Sequence, residues 1–252
     1  AVPIPYNNHS FEIGASVGIA FSNNSTTAEE LIQHADTAMY HAKKEGRNVY
    51  RFYESNMHDK ILARLNMEDD LRTALEANEF RLYYQPYVNH DEEAIIGVEI
   101  LLRWEHPERG IISAHEFLHA AESARLMHEI VKWQCEQLRH DIAMWNAHEL
   151  PPISIALNLS ISQLDTIDLV KWLTPIAQKK FLGGHNIIVE LPEEAISPIT
   201  GNRFMTISKL HDLGIGLHID HYGCYSLPFM ALNSLPISML KIDVSLIKNM
   251  SK

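Results

Sequence analysis

IIGVEILLRW (95–104), ISIALNLS (153–160), NIIVELP (186–192), GIGLHID (214–220) and ISMLKID (237–243) are apolar, β-branched runs that carry a polar residue at or near their ends. FRLYYQPYV (80–88) precedes them, and helical stretches such as HEFLHAAESARLMHEIVKWQCEQLRHDIAMW (115–145) separate most of them. Nearly continuous apolar strands alternating with amphipathic helices predict an α/β domain built on a mainly parallel sheet. The polar residues at the strand ends are Glu99, Asn158, Glu190, Asp220, and Lys241 with Asp243. In a β/α barrel the chemistry sits at the C-terminal ends of the strands. Six strands are read here, where a closed barrel of this kind has about eight. The reading therefore leaves two architectures, an open sheet or a barrel whose last strands lie past Lys252.

Before Phe80 the rhythm differs. FEIGASVGIAF (11–21) reads as a strand, Thr26 or Thr27 as the N-cap of a helix over AEELIQHADTAMYHAKKEG, and Gly46 as its stop. Leu31, Ile32, Ala35, Ala38, Met39 and Ala42 recur at helical spacing and predict one packed face. A short strand, NVYRFY, follows. Residues 54–79 contain neither Gly nor Pro and alternate charges with Met57, Ile61, Leu62, Leu65, Met67 and Leu71, which predicts a connecting helix.

The chain has 252 residues, 46% hydrophobic and 21% charged, enough for one large domain and a fragment of another. A net charge of -11 excludes a general grip on duplex DNA. Cys135 and Cys224 are too few for a disulfide framework and fit a reducing cytoplasm. No apolar run approaches the ~20 residues of a membrane span, so this segment is expected to make no membrane contact.

Glu99, Asn158, Glu190 and Asp220 offer only oxygen ligands, which suit Mg²⁺ or Mn²⁺ and not Zn²⁺. Any one of them alone reads more simply as a satisfied polar group where a loop begins. Four on four successive strands are costly to gather without a counter-ion. His115, Glu116 and His119 match a zinc-peptidase pattern on a helix, but no third ligand follows at a known spacing. Arg103 can pair with phosphate bidentately or with Glu105 or Glu108 at the surface, whereas Trp104 reads as core. Gly183 and Gly184 precede a strand rather than a helix and are not a phosphate loop. Cys224 has no evident base except His221, so a nucleophilic role is not expected.

The run YYQPYVNHDEEAIIGVEILLRWEHPERGIISAHEF (83–117) resembles the opening of an EAL domain, with EILLRW (99–104) at the family's signature. The resemblance continues through ALNLSISQL (156–164), VELPE (189–193), IDHYG (219–223) and LPISMLKID (235–243), and covers residues 76–252. Residues 1–52 resemble the C-terminal part of a GGDEF domain, through SVGIA (16–20) and ADTAMYHAKKEGRN (35–48), with 53–75 as the connecting helix. The diguanylate cyclase signature lies earlier in that family and is absent here, although Lys43 and Arg47 match positions near nucleotide phosphates. For residues 76–252 the resemblance implies a (β/α) barrel with an antiparallel first strand, binding cyclic di-GMP at its C-terminal mouth. It implies Glu99, Asn158, Glu190 and Asp220 as ligands of a first Mg²⁺ or Mn²⁺, and Gln85, Leu101, Arg103, Asn158 and Asp243 as contacts of the dinucleotide. Lys241 would serve the attacking water together with the metal ligand Glu99, and Glu193 would brace the loop after the fifth strand. It further implies a homodimer contact through the EAL domain, and a cytoplasmic location for this segment.

The chain departs from the family in three places. The second Asp that the family has after Asp220 is His221 here, which can ligate Mn²⁺ but lacks the charge and bridging oxygens suited to Mg²⁺. The loop HYGCYSLPF is one residue shorter than the family's, in a segment tied to metal placement and dimer contacts. The strands carrying a second-metal glutamate and a substrate-binding glutamine would follow Lys252. The expectation is a cyclic di-GMP-binding regulatory domain with impaired phosphodiesterase activity. The alternatives are an active metal-dependent phosphodiesterase producing linear pGpG, with His221 as a ligand, and a protein-interaction module without nucleotide binding.

Overall fold

A computed structural model describes residues 4–249 apart from 7–8, 12–13, 23–25, 45–47, 90–93, 167, 197–200, 225–231 and 234. The chain divides into two compact units, residues 1–69 and 70–252.

In the first unit β1 (Ile4–Tyr6) and β2 (His9–Phe11) pair antiparallel, and β3 (Val17–Ile19) pairs parallel with β4 (Tyr50–Phe52). Of the single strand expected over 11–21, Phe11 ends β2 and Val17–Ile19 form β3, residues 14–16 belong to neither, and 12–13 lie outside the described residues. Helix α1 (Ala28–Lys44) starts at Thr27, whose hydroxyl accepts from the Glu30 amide at 3.2 Å while Glu30 accepts from the Thr27 amide at 2.8 Å. This reciprocal pair satisfies two of the donors that a helix start leaves over. Ala38 and Ala42 are buried as the spacing predicts, but Ile32 is exposed. Gly18 lets β3 approach α1, since a Cβ there would lie 1.9 Å from the Ala35 carbonyl oxygen. Gly46 and Arg47 lie outside the described residues. The expected connecting helix is α2 (Asn56–Glu76). Met57, Met67 and Leu71 are buried on it and Leu65 is exposed, while the side chains of Ile61 and Leu62 lie outside the described residues.

The second unit is organised by a seven-stranded sheet of β5 (Phe80–Val88), β6 (Ile95–His106), β7 (Gly110–Ser113), β8 (Ser154–Asn158), β9 (Asn186–Pro192), β10 (Gly216–Tyr222) and β11 (Ile237–Ile242). The order is β11-β10-β9-β8-β6-β5, with β7 as an antiparallel hairpin partner of β6. β6, β8, β9, β10 and β11 run parallel, and β5 is antiparallel to β6. An antiparallel first strand before a parallel run is the expected EAL-type arrangement.

Alternation along β6 assigns its two faces. Val98, Ile100, Leu102 and Trp104 are buried, whereas Glu99, Leu101 and Arg103 face the other way and stay partly accessible. Trp104 packs with Phe80 and Phe117 at ring separations of 6.1 and 5.8 Å, and its indole N–H donates to Glu79 at 2.9 Å. The helical stretch after β7 is two helices, α3 (Ala114–Ser123) and α4 (Met127–Ala147). They separate where Arg125 takes φ 60°, a left-handed value that a continuous α-helix does not admit.

Candidate active site at the strand ends

The pairing registers gather the polar strand ends on one face. Gln85 stands opposite Glu99, Glu99 opposite Ala156, Asn158 opposite Glu190, and Asp220 opposite Pro192. Because each register neighbour shares a face, Gln85, Glu99, Asn158, Glu190 and Asp220 all project to the same side of the sheet.

Lys241 of β11 completes the cluster. Its ammonium lies 2.7 Å from Glu190 Oε2, 3.0 Å from Glu99 Oε2 and 3.6 Å from Asp220 Oδ1. The Asn158 amide donates to Glu99 Oε1 at 2.7 Å. Burial works against the charge on Lys241, but its bonds to Glu190 and Glu99 win and hold its pKa above the ordinary lysine value. Glu190 is only 3% exposed. Burial would raise its pKa, yet His218 and Lys241 hold the carboxyl below the usual range.

Asp220 and His221 sit where the β10–β11 register shifts between Ile219 and Tyr222. Such irregularities re-aim side chains, and here the backbone at His221 turns to φ 54°. The His221 amide donates to Asp220 Oδ1 at 2.9 Å, and its exposed ring brings Nδ1 within 3.0 Å of Asp220 Oδ2. Glu193 is buried and accepts from the Gly223 amide at 2.8 Å, just past β10. Asp243 is engaged elsewhere: its Oδ1 accepts from the Ser245 amide at 2.8 Å, at the start of a short helix, Val244–Asn249.

Leu101 and Arg103 follow Glu99 on the same face of β6, and the Arg103 guanidinium lies 5.9 Å from the centre of the Tyr83 ring. A cleft of about 260 Å³ opens beside them, lined by Leu101, Arg103, Asn158, Ala114, Leu118 and Gln163 among others. Glu105 pairs with Arg81 at 3.1 Å.

Two residues of this face were not singled out from sequence. His218 is buried with Nδ1 3.5 Å from Glu190 Oε1. Tyr87 hydrogen-bonds with Ser154, and burial pushes its phenol up. The available signal was period two: His218 precedes Asp220 by two residues on β10, and Tyr87 follows Gln85 by two on β5.

The zinc pattern dissolves in the structure. Glu116 is the capping-box partner of Ser113, accepting from its amide at 3.2 Å and its hydroxyl at 2.8 Å. Cys224 is exposed, and local burial of its sulfur followed by the Asp243 carboxylate push the thiol up, which disfavours a nucleophile. Among the described residues no three His, Cys, Asp or Glu side chains form a metal-ligating cluster. The donor chemistry at the strand ends is nevertheless all oxygen, the kind a hard divalent ion takes. In this arrangement the Lys241 ammonium neutralises it, so an ion and the lysine compete for the same oxygens.

Fold and site together define an α/β sheet domain with a carboxylate–lysine centre at its C-terminal strand ends. The chain belongs to the EAL domain family, whose pattern matches residues 68–252, and residues 1–49 match the diguanylate cyclase, GGDEF domain. It is 35% identical over 250 residues to the bifunctional diguanylate cyclase/cyclic di-GMP phosphodiesterase MucR of Pseudomonas aeruginosa, covering 99% of this chain and 36% of that one. The chain spans about a third of the length of the curated relatives it matches. Among solved structures it is similar to the PaMucR phosphodiesterase in its c-di-GMP complex, at 31% identity and a TM-score of 0.66, covering 74% of this chain and 75% of that one. It is also similar to the FimX EAL domain from Pseudomonas aeruginosa bound to c-di-GMP, at 26% identity and a TM-score of 0.59, covering 75% and 74%. No helix among the described residues is long and apolar enough to cross a membrane.

Proposed function

We propose that this chain is a cyclic di-GMP-binding regulatory segment of a signalling protein, with phosphodiesterase activity impaired at His221. In this reading residues 1–52 are the end of a GGDEF domain, 53–75 the connecting helix and 76–252 the EAL domain. The observation that carries it is the convergence of Glu99, Glu190 and Asp220 on the Lys241 ammonium, beside Gln85, Leu101 and Arg103 on one sheet face.

Arg103 supplies a planar cation to a phosphate oxygen, and Gln85 and Asn158 supply amide hydrogen bonds. Leu101 presents apolar surface to the ligand. Glu99, Asn158, Glu190 and Asp220 would hold Mg²⁺ or Mn²⁺. Such an ion, when bound, would supply Lewis acidity toward a phosphodiester and a water. Lys241 orients the attacking water and faces the charge that develops on phosphate. Glu193 fixes the backbone after β10 through Gly223. At His221 a neutral or cationic ring replaces a carboxylate, so a second ion loses a negative ligand. Two-metal hydrolysis then loses electrostatic stabilisation on the order of several kcal/mol.

One observation favours the active alternative: His221 Nδ1 stands 3.0 Å from Asp220 Oδ2, close enough to join it as a ligand. The test is incubation with cyclic di-GMP and Mg²⁺ or Mn²⁺, with chromatographic detection of linear dinucleotide and parallel equilibrium binding. Binding without turnover, lost in Glu99→Ala, is the expected result. Turnover at ordinary enzymatic rates would establish a phosphodiesterase instead. Neither binding nor turnover would leave an interaction module.

A further inference from the structure

We propose that His218 is a positioning residue that holds the Glu190 carboxylate ready for a divalent ion, an inference that rests on the metal-binding reading above. His218 stands directly opposite Glu190 in the β9–β10 register. Both are withdrawn from water, at 5% and 3% exposure. His218 Nδ1 is 3.5 Å from Glu190 Oε1, while Lys241 Nζ is 2.7 Å from Oε2. The two oxygens of Glu190 are therefore divided between two partners of different character. His218 lies deep on a central strand with little room to move. Lys241 ends a flexible side chain that is 31% exposed.

The terminal torsion of a glutamate is broad and roughly two-fold, so an unrestrained carboxylate spreads over many orientations. An imidazole held 3.5 Å from Oε1 narrows that freedom and leaves Oε2 directed at the space shared with Glu99 and Lys241. When an ion displaces the lysine, the carboxylate is already aimed and less ordering cost remains. Groups that orient a ligand from behind in this way change metal affinity by roughly 10- to 100-fold. His218 acts through Glu190, and its contribution appears in ion binding whether or not hydrolysis follows.

The experiment measures Mn²⁺ binding to the whole chain by electron paramagnetic resonance and calorimetry, with thermal unfolding recorded in parallel. His218→Leu is expected to weaken Mn²⁺ binding about tenfold or more. His218→Asn keeps a nitrogen donor near the place of Nδ1 and is expected to recover affinity to within about threefold. Wild-type affinity in His218→Leu overturns the proposal. So does a His218→Asn protein that melts like wild type yet binds as weakly as His218→Leu. Glu190→Gln separates the two levels of inference. If it weakens Mn²⁺ binding while His218→Leu does not, only the role of His218 fails. If it leaves binding unchanged, the metal reading of the site fails as well.

Discussion

Glu99 and Lys241 stand on β6 and β11, four steps apart in the sheet, yet their side chains meet at 3.0 Å. In a flat sheet, four spacings of about 4.8 Å would separate the strands by about 19 Å, beyond the reach of the two side chains. The sheet must therefore curl, and the lysine closes the trough. One cation ties β6, β9, β10 and β11 together.

Lys241→Met should accordingly destabilise the fold. Its removal leaves the buried Glu190 carboxylate without its nearest cation, which costs about 3 kcal/mol in comparable pairs. Urea unfolding measures the loss, and millimolar Mn²⁺ should restore part of it by taking the ammonium's place. The difference should also depend on pH. The Glu190 pKa is held below its ordinary 4.5, so its contribution is present above that value and lost as pH falls through the lowered one. The Lys241 pKa is raised above 10.5, so its contribution is present below that value and lost as pH rises through the raised one. The gap between wild type and Lys241→Met should be full between about pH 5 and pH 10 and shrink outside that window.

His221→Asp should raise hydrolysis of cyclic di-GMP by about tenfold or more, equivalent to ~1.4 kcal/mol of barrier. The backbone accepts the change, because Asp is among the residues enriched at positive φ and His221 has φ 54°. Chromatographic quantification of linear product checks it. No gain would move the limitation from His221 to the shortened loop that follows it.

Gly97→Ala should destabilise the second unit by about 1–3 kcal/mol through overpacking. A Cβ at Gly97 would lie 2.1 Å from the Tyr87 ring and 2.7 Å from the Ser154 carbonyl oxygen. Adding Tyr87→Ala should relieve the ring contact but not the backbone one, so only part of the loss should return in urea melts.

Arg103→Lys should weaken cyclic di-GMP binding nearly as much as Arg103→Ala, roughly tenfold or more. A lysine keeps the charge but loses the planar fork and the ring contact with Tyr83. Calorimetric titration distinguishes this from a simple charge effect, in which Lys would rescue.

Much of this protein was legible in its residues. Six of the seven strands in the large sheet follow from apolar runs bounded by turn residues. Glu99, Asn158, Glu190, Asp220 and Lys241 announced themselves as polar groups ending those runs. β7 was missed because GIIS is too short to show a period. The break between α3 and α4 was missed because Ala124 and Arg125 are good helix formers. Only the burial of Leu126 before the next helix and of Met127 at its start requires the turn there.

The alternation of apolar runs and helices determines an α/β sheet, since each strand buried on both faces needs helices to cover it. Period two also determines which residues share a face with Glu99. The sequence by itself did not determine that Lys241 reaches Glu99, that Asp243 turns away to Ser245, or that His218 backs Glu190. Those depend on sheet curvature, on the register shift at Asp220 and on pairing between strands 28 residues apart, from Glu190 to His218. Local propensity carries no information about such distances. They arise only when the whole sheet buries its apolar face and the polar groups left on the other side must find partners.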